Sequence, residues 1–485
     1  MIAITRRSVT ASRQSFCFPS SVVYAQWCKS LNTRFYVRVV QWFRGRPIAT
    51  YVLASIFWTT ALYAHAVRAG FASYDDASQI LQNSSLSSLT GSLQYFRSPV
   101  SFASDLRGSG GSFYRPLFWL SLAIDEKLWG LNPVAFHLTN VVLHWLSGLF
   151  LLLLLRRLHI SSLSAALTSL LWIGLPINSE AVAWISGRPY CLAGCFLLLG
   201  ILFAERYLVR PEPKYLAGYS LAAACALFSH EVGVLIVAFT LLLIMSGDKG
   251  KTRPAMELSG ASVVMILLYS WLRHAAGATG ATPKGTMASF ALFFWKYLGW
   301  MVLPVHMSIE RSTDTPPSGW SGPALLAWLC LFVACAVFVF VHRKIPESTI
   351  AFAWMGIGLL PFCGIVFLYQ GMAERYTYVA SAGLALLVVV IGAESQVLLR
   401  PFVLGLIAVW VLWGVYRLET RISTGRMQRV FMHILCRLLL AVGSFTTIWA
   451  PSWKSAKSSL KRVVNITRQS LWSRRTSPQL PVLEM

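Results

Sequence analysis

The chain alternates long apolar runs with short polar interruptions, and the spacing suits a bilayer better than a water-soluble core. Crossing a hydrocarbon layer of about 30 Å takes about 20 apolar residues at 1.5 Å of helical rise each. Runs of this kind recur over 48–67, 134–155, 163–177, 190–208, 215–229, 231–246, 255–273, 289–304, 323–341, 349–369, 378–394 and 401–416, with a weaker one at 430–449. Lipid offers the backbone no hydrogen-bond partner, so each run is predicted to be a helix. No alternating ten-residue strand pattern appears, which argues against an outer-membrane barrel. The predicted fold is an all-α polytopic membrane protein with roughly eleven to thirteen transmembrane helices and a long first extracytoplasmic loop over 68–133.

Composition sharpens this picture. Of 485 residues, 56% are hydrophobic and 12% charged, and the mean hydropathy is +0.60; a soluble globule does not fit these values. A net charge of +24 would suit a nucleic-acid binder, but most of the excess sits at the two ends. Residues 1–47 hold eight Lys or Arg and no acid, and 417–485 hold twelve against two acids. Basic flanks of this kind read as cytoplasmic topology anchors, so no nucleic-acid partner is expected. Three segments follow: a basic cytoplasmic N-terminal segment 1–47, a membrane domain 48–416, and a basic tail 417–485 with a further apolar stretch at 430–449. With the N-terminus inside, loop 68–133, the segments 178–189 and 229–231, and the stretch up to Tyr378 face the outer side if 289–304 is re-entrant. The nine cysteines lie mainly in or beside apolar runs, and none falls in 68–133, so no disulfide framework is expected. Cys191 and Cys195 stand one turn apart without a nearby His or Cys pair, and no metal is assigned to them.

Five polar groups could carry chemistry. Asp75 and Asp76 stand just beyond the first run; like charges this close raise one pKa, and an ionised member can act as a base, while the same pair also suits the cap and first turn of a helix at 77–82. Arg115, before Pro116, sits where a surface helix should start and could grip a phosphate or a lipid headgroup. His137, Asn140 and His144 fall at i, i+3 and i+7 and so share one helix face; interhelical hydrogen bonding suits them better than a metal, since no third ligand presents itself. Glu180 and Arg188 lie in the otherwise apolar segment 176–188, where a charge at mid-membrane costs about 2.5–3.5 kcal/mol and suggests a lined cavity. Finally Ser229-His230-Glu231 interrupts one apolar run, and Ala373-Glu374-Arg375-Tyr376-Thr377-Tyr378 opens another. Turn residues and an arginine in an aromatic belt are the plainer reading of these two.

The order of the motifs is more specific than any one of them. Tyr74-Asp75-Asp76-Ala77, Tyr-Arg-Pro-Leu at 114–117, Leu-Trp-Gly-Leu-Asn-Pro at 128–133, Phe-His-Leu-Thr-Asn at 136–140 with His144, the segment 176–188 and Ala-Glu-Arg-Tyr-x-Tyr at 373–378 are collinear. This series resembles the GT-C membrane glycosyltransferases, especially the group related to protein O-mannosyltransferases and to transmembrane proteins with tetratricopeptide repeats. The resemblance implies transfer of a sugar, with inversion, from a polyprenyl-phosphate carrier to a protein or glycan acceptor on the extracytoplasmic face, in the plasma membrane if the host is bacterial. It also implies Asp75 as the base with Asp76 as neighbour or substitute, Arg115, Arg188 and Arg375 as phosphate contacts, and Glu180, His230, Glu231 and Tyr376 around the substrate. No cofactor is implied with certainty, and a divalent metal is left open. Where the group usually has Lys-Glu, this chain has His230-Glu231, and 417–485 shows no tetratricopeptide pattern. A lipid-carrier or sugar transporter and a non-catalytic scaffold of the same fold are the competing readings.

Overall fold

The computed structural model describes residues 47–72, 75–98, 113–246, 252–278, 285–305, 307–308, 311, 314–364, 371–395 and 400–422. The N-terminal segment 1–46, Tyr74 and the tail from 423, with its apolar stretch at 430–449, lie outside the described residues. The described residues are helical and form no β-strand; an isolated bridge joins Arg311 and Met372.

Thirteen described helices have twelve or more residues: α1 Pro47–Val67, α2 Pro116–Trp129, α3 Pro133–Arg157, α4 Ser162–Gly174, α5 Arg188–Val209, α6 Pro213–Ser229, α7 Leu235–Ser246, α8 Thr252–Ala275, α9 Met287–Val302, α10 Gly322–Lys344, α11 Ser348–Leu359, α12 Ser381–Glu394 and α13 Arg400–Ile422. Their starts follow local capping chemistry. Asn132 accepts from Val134 N–H at 3.1 Å with Pro133 at the first position of α3, and Ser161 does the same for Ser164 N–H at 3.1 Å before α4. Thr286 and Ser289 form a capping box at the start of α9.

The body is a bundle in which α5 packs against α3, α6 and α7, while α12 packs against α4 and α11. Its outer faces are strongly apolar. On α10, Leu325, Leu326, Leu329, Phe332, Val333, Val337 and Phe340 are all exposed, a stripe that belongs against lipid. The protein is an all-α polytopic membrane protein.

By length and composition five described helices can each cross a membrane, or six if α4 and the short helix beyond it, bent by 52° at Pro176, count as one span. The expected eleven to thirteen spans therefore include shorter pieces, among them Met287–Val302, Ser348–Phe362 and Ser381–Glu394. The reason is that several apolar runs are broken. The run 163–177 stops at Gly174, passes through turns at 176–178, 179–183 and 185–187, and resumes as α5; His230 is extended (φ −162°, ψ 149°) and separates α6 from a 3-10 turn and α7. A third irregular stretch, 371–380, precedes α12. Broken backbone inside a membrane protein persists only where protein or a cavity surrounds it, and here the turns 176–183 and 374–377 pack directly on each other.

Within loop 68–133, Asp75 and Asp76 lead into a short π-helical turn at 77–81, and Arg115 caps α2 with Pro116 at its first position. Leu128, Trp129 and Leu131 are exposed at the far end of α2, as suits a helix lying at the lipid interface.

Candidate active site

The paired acids are adjacent in sequence but not in circumstance. Asp76 is fully buried, and its carboxylate accepts from Ala72 N–H at 2.8 Å, from Ser186 N–H at 3.0 Å and from the Ser186 hydroxyl at 2.5 Å. It ties the first loop to the turn that opens α5. That turn needs Gly187, because a Cβ there would meet the Glu180 carbonyl oxygen at 2.6 Å. Asp75 is only partly buried, and among the described residues its carboxylate has no hydrogen-bond or ion-pair partner. Burial pushes its pKa up to about 6, against the pull of the Arg375 guanidinium and with a further push from Asp76.

Arg375 stands across from Asp75. Its backbone N–H donates to Glu180 at 2.9 Å, its guanidinium pairs with the other Glu180 oxygen, and the same guanidinium lies over the rings of Trp184 and Tyr376 at 5.4 Å each. Glu180 is buried at the turn that follows Pro176. Consecutive residues on both turns look elsewhere: Glu374 receives Arg311 and Arg421, and Ser179 receives Arg421 at 3.0 Å.

A second arginine cluster completes this end of the bundle. Arg115 donates through Nε and Nη2 to one oxygen of Glu231, both at 2.8 Å, and Arg273 reaches the other at 3.2 Å. The Arg115 guanidinium also lies over the Phe113 ring at 4.2 Å. Its Nη1 has no partner among the described residues. His230 is buried beside Glu231, its ring 4.2 Å from that of Tyr190, which in turn lies 6.0 Å from Tyr376.

Arg188 is different from the arginine the motif suggests. It is fully buried, donating through Nε to Asn140 at 2.8 Å, through Nη1 to the Ser121 carbonyl at 3.1 Å and through Nη2 to the Phe136 carbonyl at 2.9 Å, and it pairs with Asp125 at 2.6 Å. With every guanidinium nitrogen engaged inside the protein, the expected phosphate contact is not available to it. Its geometry is that of a brace between α2, α3 and α5.

The stripe on α3 faces protein throughout. Asn140 also donates to the Trp184 carbonyl at 3.0 Å, the two His144 nitrogens meet the Tyr378 hydroxyl at 2.8 Å and the Ile173 carbonyl at 3.2 Å, and His137 Nε2 lies 3.3 Å from the Gly70 carbonyl. Among the described residues no three His, Cys, Asp or Glu side chains gather to hold a metal ion. Of the expected site residues, Asp75, Asp76, Arg115, Glu180, His230, Glu231, Arg375 and Tyr376 come to one end of the bundle, whereas His144 lies deeper. The sequence does not single out Asp125, Ser186, Tyr190 and Arg273, which are partners of the expected residues; Ser186 lies within the segment 176–188, and the other three carry no motif of their own.

No family model matches the chain. Among curated proteins, protein O-mannosyl-transferase TMTC2 of Mus musculus is 34% identical over 187 residues, which is 37% of this chain and 22% of the relative. TMTC1 of Mus musculus is 32% identical over 158 residues, covering 29% of this chain and 17% of the relative. Over these stretches the chain is similar to protein O-mannosyl-transferases. Tmtc2 of Drosophila melanogaster extends the likeness, at 27% identity, over 318 residues, which is 62% of this chain and 30% of that protein. The match thus spans less than a third of the length of each of these TMTC relatives.

Proposed function

We propose that the protein is a membrane glycosyltransferase of the GT-C kind that moves a sugar, mannose by the names of its relatives, from a polyprenyl-phosphate carrier to a protein or glycan acceptor on the extracytoplasmic face. The observation that carries this reading is Asp75: an acid whose carboxylate has no partner among the described residues, its pKa raised to about 6 by burial against the pull of Arg375, at the same end of the bundle as Arg115. A long prenyl tail stays in lipid and leaves its phosphate at the interface, so a base held just beyond the first helix can meet both substrates.

In the reaction the acceptor hydroxyl oxygen attacks the anomeric carbon while the Asp75 carboxylate takes the hydroxyl proton. The bond from that carbon to the phosphate oxygen breaks, and its electron pair leaves with the carrier phosphate. Attack from the face opposite the leaving group inverts the anomeric centre. Arg115, through an Nη1 that no described residue engages, and Arg375 stabilise the charge that grows on the phosphate. Asp76 takes no part in the proton transfer, because its lone pairs already serve Ala72 and Ser186. Glu180 and Glu231 orient the two arginines.

The test is transfer of mannose from polyprenyl-phosphate mannose to a peptide acceptor by the full chain in liposomes. Asp75→Asn should lower transfer by about 10²–10⁴-fold. Undiminished transfer by that variant would overturn the assignment of the base, and mannose crossing the vesicle wall with no new glycosidic bond would favour a transporter.

A further inference from the structure

His230 has a nitrogen that the fold leaves unused. The extended backbone at this residue turns its ring into the protein, where it is 4% exposed. Its Nδ1 accepts the Val232 N–H at 2.9 Å. A ring nitrogen that accepts carries no proton, so the imidazole is neutral and its hydrogen sits on Nε2. That Nε2 is buried and has no hydrogen-bond partner among the described residues. A buried N–H without an acceptor is costly and uncommon in folded proteins, so it calls for a partner that arrives from outside the chain.

The surroundings say what kind of partner. Arg115 and Arg273 share the single carboxylate of Glu231, which leaves this cluster with a net positive charge. Tyr190 lies against the His230 ring and Tyr376 beyond it, so the position adjoins the turn that carries Arg375. An anionic oxygen satisfies both the cluster and the orphan donor.

We propose that His230 is a substrate-binding residue whose neutral Nε2–H donates to a non-bridging phosphate oxygen of the lipid-linked donor, beside Arg115 and Arg375. This rests on the glycosyltransferase reading of the same site. Since Nε2 already holds a proton, His230 is a donor in this arrangement and not a second base.

Amide side chains separate the two ring nitrogens. A glutamine places an N–H donor where Nε2 stands, whereas an asparagine reproduces the acceptor at Nδ1 and offers nothing further out. Binding of sugar-free polyprenyl phosphate to the detergent-solubilised full chain should weaken about ten- to a hundred-fold in His230→Asn and His230→Phe, and stay within about threefold of the unmodified protein in His230→Gln. Equal binding by all variants, or equal loss in Asn and Gln, would overturn the proposal; if the Phe variant does not fold, the Asn and Gln pair decides. Equal binding together with transfer lost in Asp75→Asn would sink the role of His230 alone. Absence of transfer by the unmodified protein would sink the glycosyltransferase reading, and the binding series would still decide what His230 Nε2 contacts.

Discussion

Arg188 and Arg115 sit in neighbouring polar clusters in opposite conditions. Around Arg188 every guanidinium nitrogen has a partner: Nε, Nη1 and Nη2 donate to Asn140 and to the Ser121 and Phe136 carbonyls, and Asp125 pairs with the charge. Around Arg115 two arginines share one carboxylate, and among the described residues its Nη1 and the buried His230 Nε2 have no partner. Asp76 and Asp75 repeat the contrast one residue apart. A saturated buried charge holds elements together, while an unsaturated one of the same type is available to a ligand. Residue type alone does not separate the two uses; satisfaction does.

The most severe way to break this comparison is at the paired acids. Asp75→Asn removes the proposed proton acceptor and should lower the transfer rate by about 10²–10⁴-fold, with the melting temperature in detergent not lowered, because the carboxylate bonds no described residue and its ionisation costs stability. Asp76→Asn should do the reverse, lowering the melting temperature as an amide is set against the Ala72 and Ser186 N–H groups. Transfer assays and thermal melts on the same two preparations read both. A matched loss of activity in the two variants with no change in melting would erase the distinction.

Next in size is Arg188→Leu, which leaves Asp125 buried without its cation and should cost about 3–5 kcal/mol of stability. Pairing it with Asp125→Leu should recover much of that loss in a thermal melt, whereas Arg115→Gln, at a partly exposed position, should leave melting nearly unchanged and raise the KM for the donor. If Arg188→Leu instead melts normally and loses donor binding, the brace described above is the phosphate site after all.

A smaller effect is expected from Gly194→Ala on α5. A Cβ at this position would lie 2.6 Å from the Tyr378 ring, which hydrogen-bonds His144, so the ring must shift and the bundle should lose about 1–3 kcal/mol, read by the same melts.

These outcomes also show what could be read from the chain before its fold. The polytopic helical class follows from apolar runs too frequent for a soluble core, and Pro116 announces the start of its helix. The collinear motifs place Asp75, Arg115, Glu180 and Arg375, and the polar break at 229–231 places His230, on interruptions between apolar runs, and those interruptions are helix breaks that pack together. What the linear pattern did not contain was partner choice. Nothing local tells Arg188 to meet Asp125, 63 positions earlier on a surface helix, or Glu231 to hold Arg273 on α8. For the same reason Asp76 and Asp75 read alike until Ser186 is brought to one of them. The number of spans was also hidden, since Pro176 and His230 end helices inside runs whose hydropathy continues.

The finest test of the contrast is pH. The pKa of Asp75 is raised from its usual value near 3.8 to about 6, first by burial and then by Asp76, against the opposing pull of Arg375. The folded protein therefore holds this proton more tightly than the unfolded chain does. Two signs follow. Ionising Asp75 costs folding stability as pH climbs from about 4 to about 6, so this residue contributes relatively more stability on the acid side. Activity runs the other way, because only the carboxylate can accept the acceptor's proton: kcat/KM should fall tenfold per pH unit below about 6 and level off above it. Asp75→Glu should keep an acid limb with a displaced midpoint, and any residual activity of Asp75→Asn should lose the limb. Arg375→Gln removes the cation that holds the pKa down, so its midpoint should move upward. A midpoint that stays in place in Arg375→Gln would mean that some other group titrates in the profile and that Asp75 does not face Arg375 in the working enzyme.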